Sequence, residues 1–199
     1  MMDLALEIPP PTGLAIAYVP SSFRSAFSLL LQIDARFDLI LHKSREPMIA
    51  QIKMAWWREA FGKAPLLRPK GEPLLQLLTD SGDLISSTAL EALVLAWEVL
   101  LGSETWNQDV VERHANLRAN AIFQTYADWV GSTQDIKPMG QLWAIEALRH
   151  GFPQRLSSSI AAPSVVLPRA RALRPLSILT MSVQNPSGPR LVWHALTGL

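Results

Sequence analysis

The sequence predicts an all-α fold. Apolar residues recur at spacings of three and four along most of the chain, the period of a helix that buries one face. Nowhere do four or more residues rich in Val, Ile and Thr alternate between turn signals in the manner of a strand. No repeat with a period of about 20–50 residues is visible, which argues against a solenoid.

Taken in order, residues 1–19 read as an extended arm, because Pro9-Pro10-Pro11 breaks the segment. Pro20-Ser21-Ser22 starts a helix running to about His42, whose stripe holds Phe23, Ala26, Phe27, Leu30, Leu31, Asp34, Phe37, Asp38 and Leu41. Two carboxylates therefore sit among apolar neighbours. Ser44-Arg45-Glu46-Pro47 stops this helix and restarts the chain, with Ser44 as the expected N-cap and Pro47 in the first turn. The second helix carries Trp56-Trp57, whose rings point about 100° apart, and ends near Gly62. Gly71-Glu72-Pro73 opens a short helix through Leu78 that Asp80-Ser81-Gly82-Asp83 closes, another runs from Ser86-Ser87-Thr88 to Leu100 or Leu101, and then a long one from about Glu104 to Val130. Lys137 to His150 is the next, closed by Gly151. Arg171 to Val183 and Leu191 to Leu196 read as helical again. A shared core is expected from Phe27, Leu31, Ile52, Trp56, Leu93, Trp97, Phe123 and Trp143.

At 199 residues, against about 100–200 per domain, the chain fits one domain, expected over residues 20–199. Apolar residues make up 49% and charged residues 18%, against about 25% charged in an average domain, which excludes disorder. Lys plus Arg number 18 and Asp plus Glu 17, a net charge of +1 with no long run of one sign, so nucleic acid is set aside as a partner. The absence of cysteine removes disulfides, thiolate nucleophiles and Cys-ligated metal. His42, His114, His150 and His194 form no HxxxH or HExxH pair, and Ser157-Ser158-Ser159 has no G-x-S-x-G frame. The first residues fit neither a secretory signal nor a transit peptide, and no stretch approaches the roughly 18–20 apolar residues that span a bilayer. A cytoplasmic protein is expected, with contact at the inner face of a membrane as an extension of that reading.

The segment Arg45-Glu46-Pro47-Met48-Ile49-Ala50-Gln51-Ile52-Lys53-Met54-Ala55-Trp56-Trp57-Arg58-Glu59-Ala60-Phe61 resembles the sequence that follows the first Asp-rich helix of the squalene/phytoene synthase family. Leu29 to Leu41 sits where that helix lies, Gly140 to His150 resembles the helix of the second motif, and Leu167-Pro168 through Leu179 resembles the start of a C-terminal helix. The likeness runs through about residues 15–183 in interrupted form. It implies an isoprenoid-synthase-like helical bundle in which two DxxxD motifs face each other across a cavity and hold magnesium against prenyl diphosphates.

On this placement the first motif falls on Asp38-Leu39-Ile40-Leu41-His42, and the second on His150-Gly151-Phe152-Pro153-Gln154. Asp38 is thus the surviving carboxylate, with His42, His150 and Gln154 at the other motif positions. The stretch between Gln154 and Leu167 is also shorter than the family's, implying a truncated C-terminal wall. Asp34-Ala35-Arg36-Phe37-Asp38 is an offset DxxxD, a metal clamp in an active protein; the alternative is an ordinary salt bridge of these aspartates with Arg36 or Lys43. Arg36, Lys53, Arg58 and Arg149 are the candidate diphosphate binders, or else solvated helix-face charges.

The resemblance therefore implies a non-catalytic protein without a cofactor, an assembly or interaction factor like the family's lineage acting in respiratory complex I assembly. The alternative is an active magnesium-dependent prenyl transferase. A protein client, a second copy or a lipid surface is the expected partner, and Ile160 to Leu179, where apolar residues alternate with Arg169, Arg171 and Arg174, is the expected patch.

Overall fold

Helix α2, Ser21–Lys43, occupies the middle of the molecule because its apolar stripe is continuous for more than five turns. Phe27, Leu30, Ile33 and Phe37 on it are fully enclosed. The computed structural model describes residues 10–44 and 46–184. Around α2 pack α1 (Pro10–Ala17), α3 (Pro47–Gly62), α4 (Pro73–Asp80) and α5 (Ser87–Glu98). A second set, α6 (Gln108–Ala119), α7 (Thr125–Trp129), α8 (Lys137–Gly151) and α9 (Arg174–Gln184), joins them through α5–α6, α6–α8 and α1–α9 packing. The described residues are all-α, with no strand among them. No helix among them is long and apolar enough to cross a membrane.

The starts of several helices follow from local chemistry. Ser86 Oγ accepts the Ala89 N–H at 3.1 Å and Asn107 Oδ1 accepts that of Val110 at 3.0 Å, each meeting one of the donors that a helix start leaves bare. Gly82, at φ 68°, provides the left-handed turn after α4.

Four expectations are corrected. Residues 10–17 are helical, not extended: Pro10 and Pro11 stand in the first turn, where the missing N–H costs nothing, and Ala15 and Val19 are buried. Residues 1–9 lie outside the described residues, as does the expected helix Leu191 to Leu196. Ser44 closes α2, and Glu46 precedes α3 without a side-chain cap. The expected long helix from Glu104 begins at Gln108, because Trp106 is drawn into a two-residue bridge with Leu156, its N–H donating to the Arg155 carbonyl at 2.6 Å. That helix also passes through a π-helical turn, Asn120–Gln124, between α6 and α7. Finally, the register of α3 buries Ala50, Met54, Trp57 and Phe61 and turns Ile52 and Trp56 outward. The rest of the expected core, Phe27, Leu31, Leu93, Trp97, Phe123 and Trp143, is buried.

The patch expected over Ile160 to Leu179 is largely enclosed. Leu173, Leu176, Ile178 and Leu179 belong to the core, and Val165 and Leu167 pack partly against it. Val166 alone of those apolar residues stands out, at 96% exposure.

Helices α6 and α8 approach closely at Gly140. A Cβ there would lie 2.7 Å from the Ala119 Cβ and 3.1 Å from its Cα. Gly to Ala inside an ordinary helix gains about 0.5–1 kcal/mol; here the clash with backbone reverses the sign. Gly140→Ala is expected to cost about 1–3 kcal/mol, the range of overpacked cores. Denaturant melts check this, and a gain in stability would show that the two helices separate freely.

Candidate functional site

Both carboxylates on the α2 stripe border a cleft that α8 and α9 also line. Asp34 and Asp38 line a cleft of about 270 Å³ with Leu31, Arg118, Trp143 and Gly151, and Thr12 of α1 and Ser182 of α9 reach the same space. α2 contributes one wall and α8 the other.

Beneath it lies a buried ion pair. Arg118 of α6 donates from Nε to Asp34 Oδ1 at 2.9 Å and from Nη2 to Oδ2 at 2.6 Å, the side-on fork that matches a carboxylate best. Trp97 of α5 donates its indole N–H to Asp34 Oδ1 at 2.9 Å. Both charged side chains are more than nine-tenths buried. The guanidinium lies 4.0 Å from the Trp143 ring centre and 5.0 Å from that of Trp97, so an indole is within cation–π reach on each count. Arg118 Nη1 is buried with no hydrogen-bond partner.

Asp38, one turn further along α2, has a different environment. Burial raises its pKa above the ordinary carboxylate value, with the Asp34 charge acting the same way and Arg118 and His42 opposing. His42 Nε2 stands 3.7 Å from Asp38 Oδ2, and its ring stacks on Phe152 at 3.9 Å. A Cβ on Gly151 would come within 3.5 Å of His42 Nε2. The ends of α2 and α8 thus touch through an imidazole, a phenyl ring and a glycine.

The other candidates go elsewhere. His150 is exposed and holds the Val183 carbonyl at 2.6 Å, and Gln154 is exposed beyond the end of α8. Arg36 pairs with Glu72 at 2.9 Å and Arg58 with Glu98 at 3.0 Å. Arg149 bonds Glu146 and the Ile160 carbonyl, and Lys53 is exposed on α3. None of these four cations lines the cleft. The salt-bridge expectation is corrected in its partner: Asp34 is held by Arg118, not by Arg36 or Lys43. Among the described residues, no group of three or more His, Asp or Glu side chains is placed to hold a metal ion.

Sequence reasoning missed Arg118 and, taking each histidine for a surface or helix-end residue, the burial of His114, though a signal exists. Val111, His114, Ala115, Arg118, Ala119 and Ile122 recur at the spacing of one buried helix face, so both polar residues had to enter the core with partners. His114 Nδ1 donates to the Ala96 carbonyl at 2.8 Å, while Nε2 is buried and unpartnered. The ring meets Trp97 edge-on at 5.2 Å. Complete burial, aided by the Arg118 charge one turn away and opposed by the bond to Ala96, pushes the His114 pKa down to about 3.

That shift sets a pH dependence. The unfolded chain takes a proton on this histidine near pH 6.5, whereas the folded chain refuses it until about pH 3, so stability falls as the solution is acidified through that window. One proton per molecule gives a slope of about 1.4 kcal/mol per pH unit. Subtracting the curve of His114→Gln from that of the wild type should isolate this slope in urea melts between the two limits. A flat difference would place His114 in contact with solvent.

No protein-family model, curated protein or solved structure matches this chain, so its functional reading rests on the geometry of these residues.

Proposed function

We propose that the chain is a squalene/phytoene-synthase-like helical protein in which Asp34, the first carboxylate of the offset DxxxD, serves the fold and not a metal, and that it acts as a non-catalytic assembly or interaction factor. The observation that carries this reading is the engagement of Asp34. Its two oxygens already accept three hydrogen bonds, two from Arg118 and one from Trp97. A magnesium ion bound there would have to displace the guanidinium and leave it unpaired in the core, a loss of about 3–5 kcal/mol. Asp38, half-exposed on the cleft wall, faces His42 at 3.7 Å, where the aligned motif would carry a second carboxylate.

The meeting of α2 and α8 across one cleft supports the resemblance to the isoprenoid-synthase bundle. The residues at the second motif support its loss of chemistry, since His150 and Gln154 point to no shared ligand and Gly151 and Phe152 fill the space next to His42. An interaction role draws support from α3, whose outer face exposes Met48, Ile49, Ile52 and Trp56 side by side.

The test is direct. Purified protein given farnesyl or geranylgeranyl diphosphate with magnesium is expected to release no diphosphate above a heat-treated control. Release that disappears in Asp38→Ala, a variant on the cleft wall and not in the ion pair, would overturn the non-catalytic reading, and a coupled prenyl product would identify a prenyl transferase.

A further inference from the structure

Helix α3 is apolar on two opposite sides. One buries Met54, Trp57 and Phe61; the other carries Met48, Ile52 and Trp56 at i, i+4 and i+8, exposed at 66%, 59% and 40%. At 1.5 Å per residue this outer stripe is about 12 Å long. Leu66 and Leu67 follow in a short 3-10 turn, Pro65–Leu67, and are exposed still further. Six of the ten large apolar side chains exposed among the described residues fall between positions 48 and 67.

Charge gathers at the same place. Residues 43–70 hold seven of the 18 basic residues and two of the 17 acidic ones, so the remainder of the chain carries eleven against fifteen. A nearly neutral protein is therefore basic here and acidic elsewhere. Glu98 neutralises Arg58 at 3.0 Å, which leaves an excess of three among the described residues of this segment. Lys53 and Lys70 are exposed. The mixture selects between occupants: protein interfaces are depleted of lysine, whereas a helix lying on a membrane combines Trp and aliphatic residues with lysine and arginine on its flanks.

We propose that α3 and the 3-10 turn after it form the face by which the protein lies on an anionic lipid surface. Met48, Ile52, Trp56, Leu66 and Leu67 enter the boundary between headgroups and acyl chains, and the basic residues of the segment supply the attraction to lipid phosphates. The inference rests on the interaction reading above and names its partner. It makes the protein peripheral, in keeping with the absence of a membrane-spanning helix among the described residues.

Vesicle co-sedimentation of the full chain tests this, using phosphatidylcholine alone and phosphatidylcholine mixed with phosphatidylglycerol. Binding is expected to the mixed vesicles only, and should weaken as salt is added. Ile52→Glu combined with Trp56→Ser should lower the partition coefficient by about tenfold or more. Trp56 also meets the Trp57 ring edge-on at 5.3 Å, so a thermal melt checks that the variant stays folded. Ile52→Glu alone, at a side chain 59% exposed, should lower binding in the same direction. Lys53→Glu, which leaves the apolar stripe intact, should lower it by about fivefold or more. No binding to the mixed vesicles, or binding that these variants leave unchanged, overturns the proposal. Self-association without lipid binding, lost in the Ile52 and Trp56 variant, also overturns it, giving the face to a second copy while the non-catalytic reading stands. That reading fails separately, on diphosphate release.

Discussion

The Asp34–Arg118 ion pair is the constraint around which the helices are arranged. It joins α2 to α6, takes a hydrogen bond from Trp97 on α5 and lies against Trp143 on α8. Burying two charges is costly, and the cost is offset only when geometry and hydrogen bonding are nearly complete. Here the carboxylate is satisfied on both oxygens and the cation is flanked by indoles. The arrangement requires α8 to come close enough for Trp143 to reach the guanidinium, and Gly140, one turn earlier on α8, permits that approach by presenting no side chain to Ala119. The π-helical turn that follows Ala119 accommodates one extra residue per turn at the same contact. Small residues and an irregular turn thus place a tryptophan over an arginine.

This core separates two features that the molecule keeps apart. The cleft is lined by α1, α2, α6, α8 and α9, and none of its lining residues comes from α3. The exposed apolar stripe belongs to α3, which packs on α2 and α5 through its other side. A change in the outer residues of α3 therefore leaves the ion pair untouched, and a change in Asp34 or Arg118 acts on the core before it acts on any surface. The two can be probed independently.

Much of the fold was legible in the periodicity. The α2 stripe, the Ser86 cap, the stop at Gly151 and the burial of Trp97, Phe123 and Trp143 all follow from spacing and end signals. The remainder depended on information that a single period does not carry. α3 is apolar on two opposite sides, so its sequence fits either register, and only packing against Phe37 through Trp57 decides that Trp56 faces out. α1 was hidden because its prolines, at the start of a helix, resemble those of an extended arm. The same ambiguity displaced the exposed patch: Leu173, Leu176 and Leu179 turn inward beneath α1, and the unburied apolar residues lie on α3 instead. Asp34 was visible as a carboxylate on an apolar stripe, but its partner is 84 positions away, and a long-range pair leaves no local trace beyond an arginine on another buried face.

A double-mutant cycle on Asp34 and Arg118, followed by urea melts without added metal, measures the central constraint most directly. Asp34→Asn and Arg118→Met should each cost about 3–5 kcal/mol, since each leaves the other group buried and unpaired. The double variant should cost clearly less than the two losses combined. Single losses below about 1 kcal/mol that simply add would contradict the assignment, and would mean that Asp34 is held for a ligand and not for the fold.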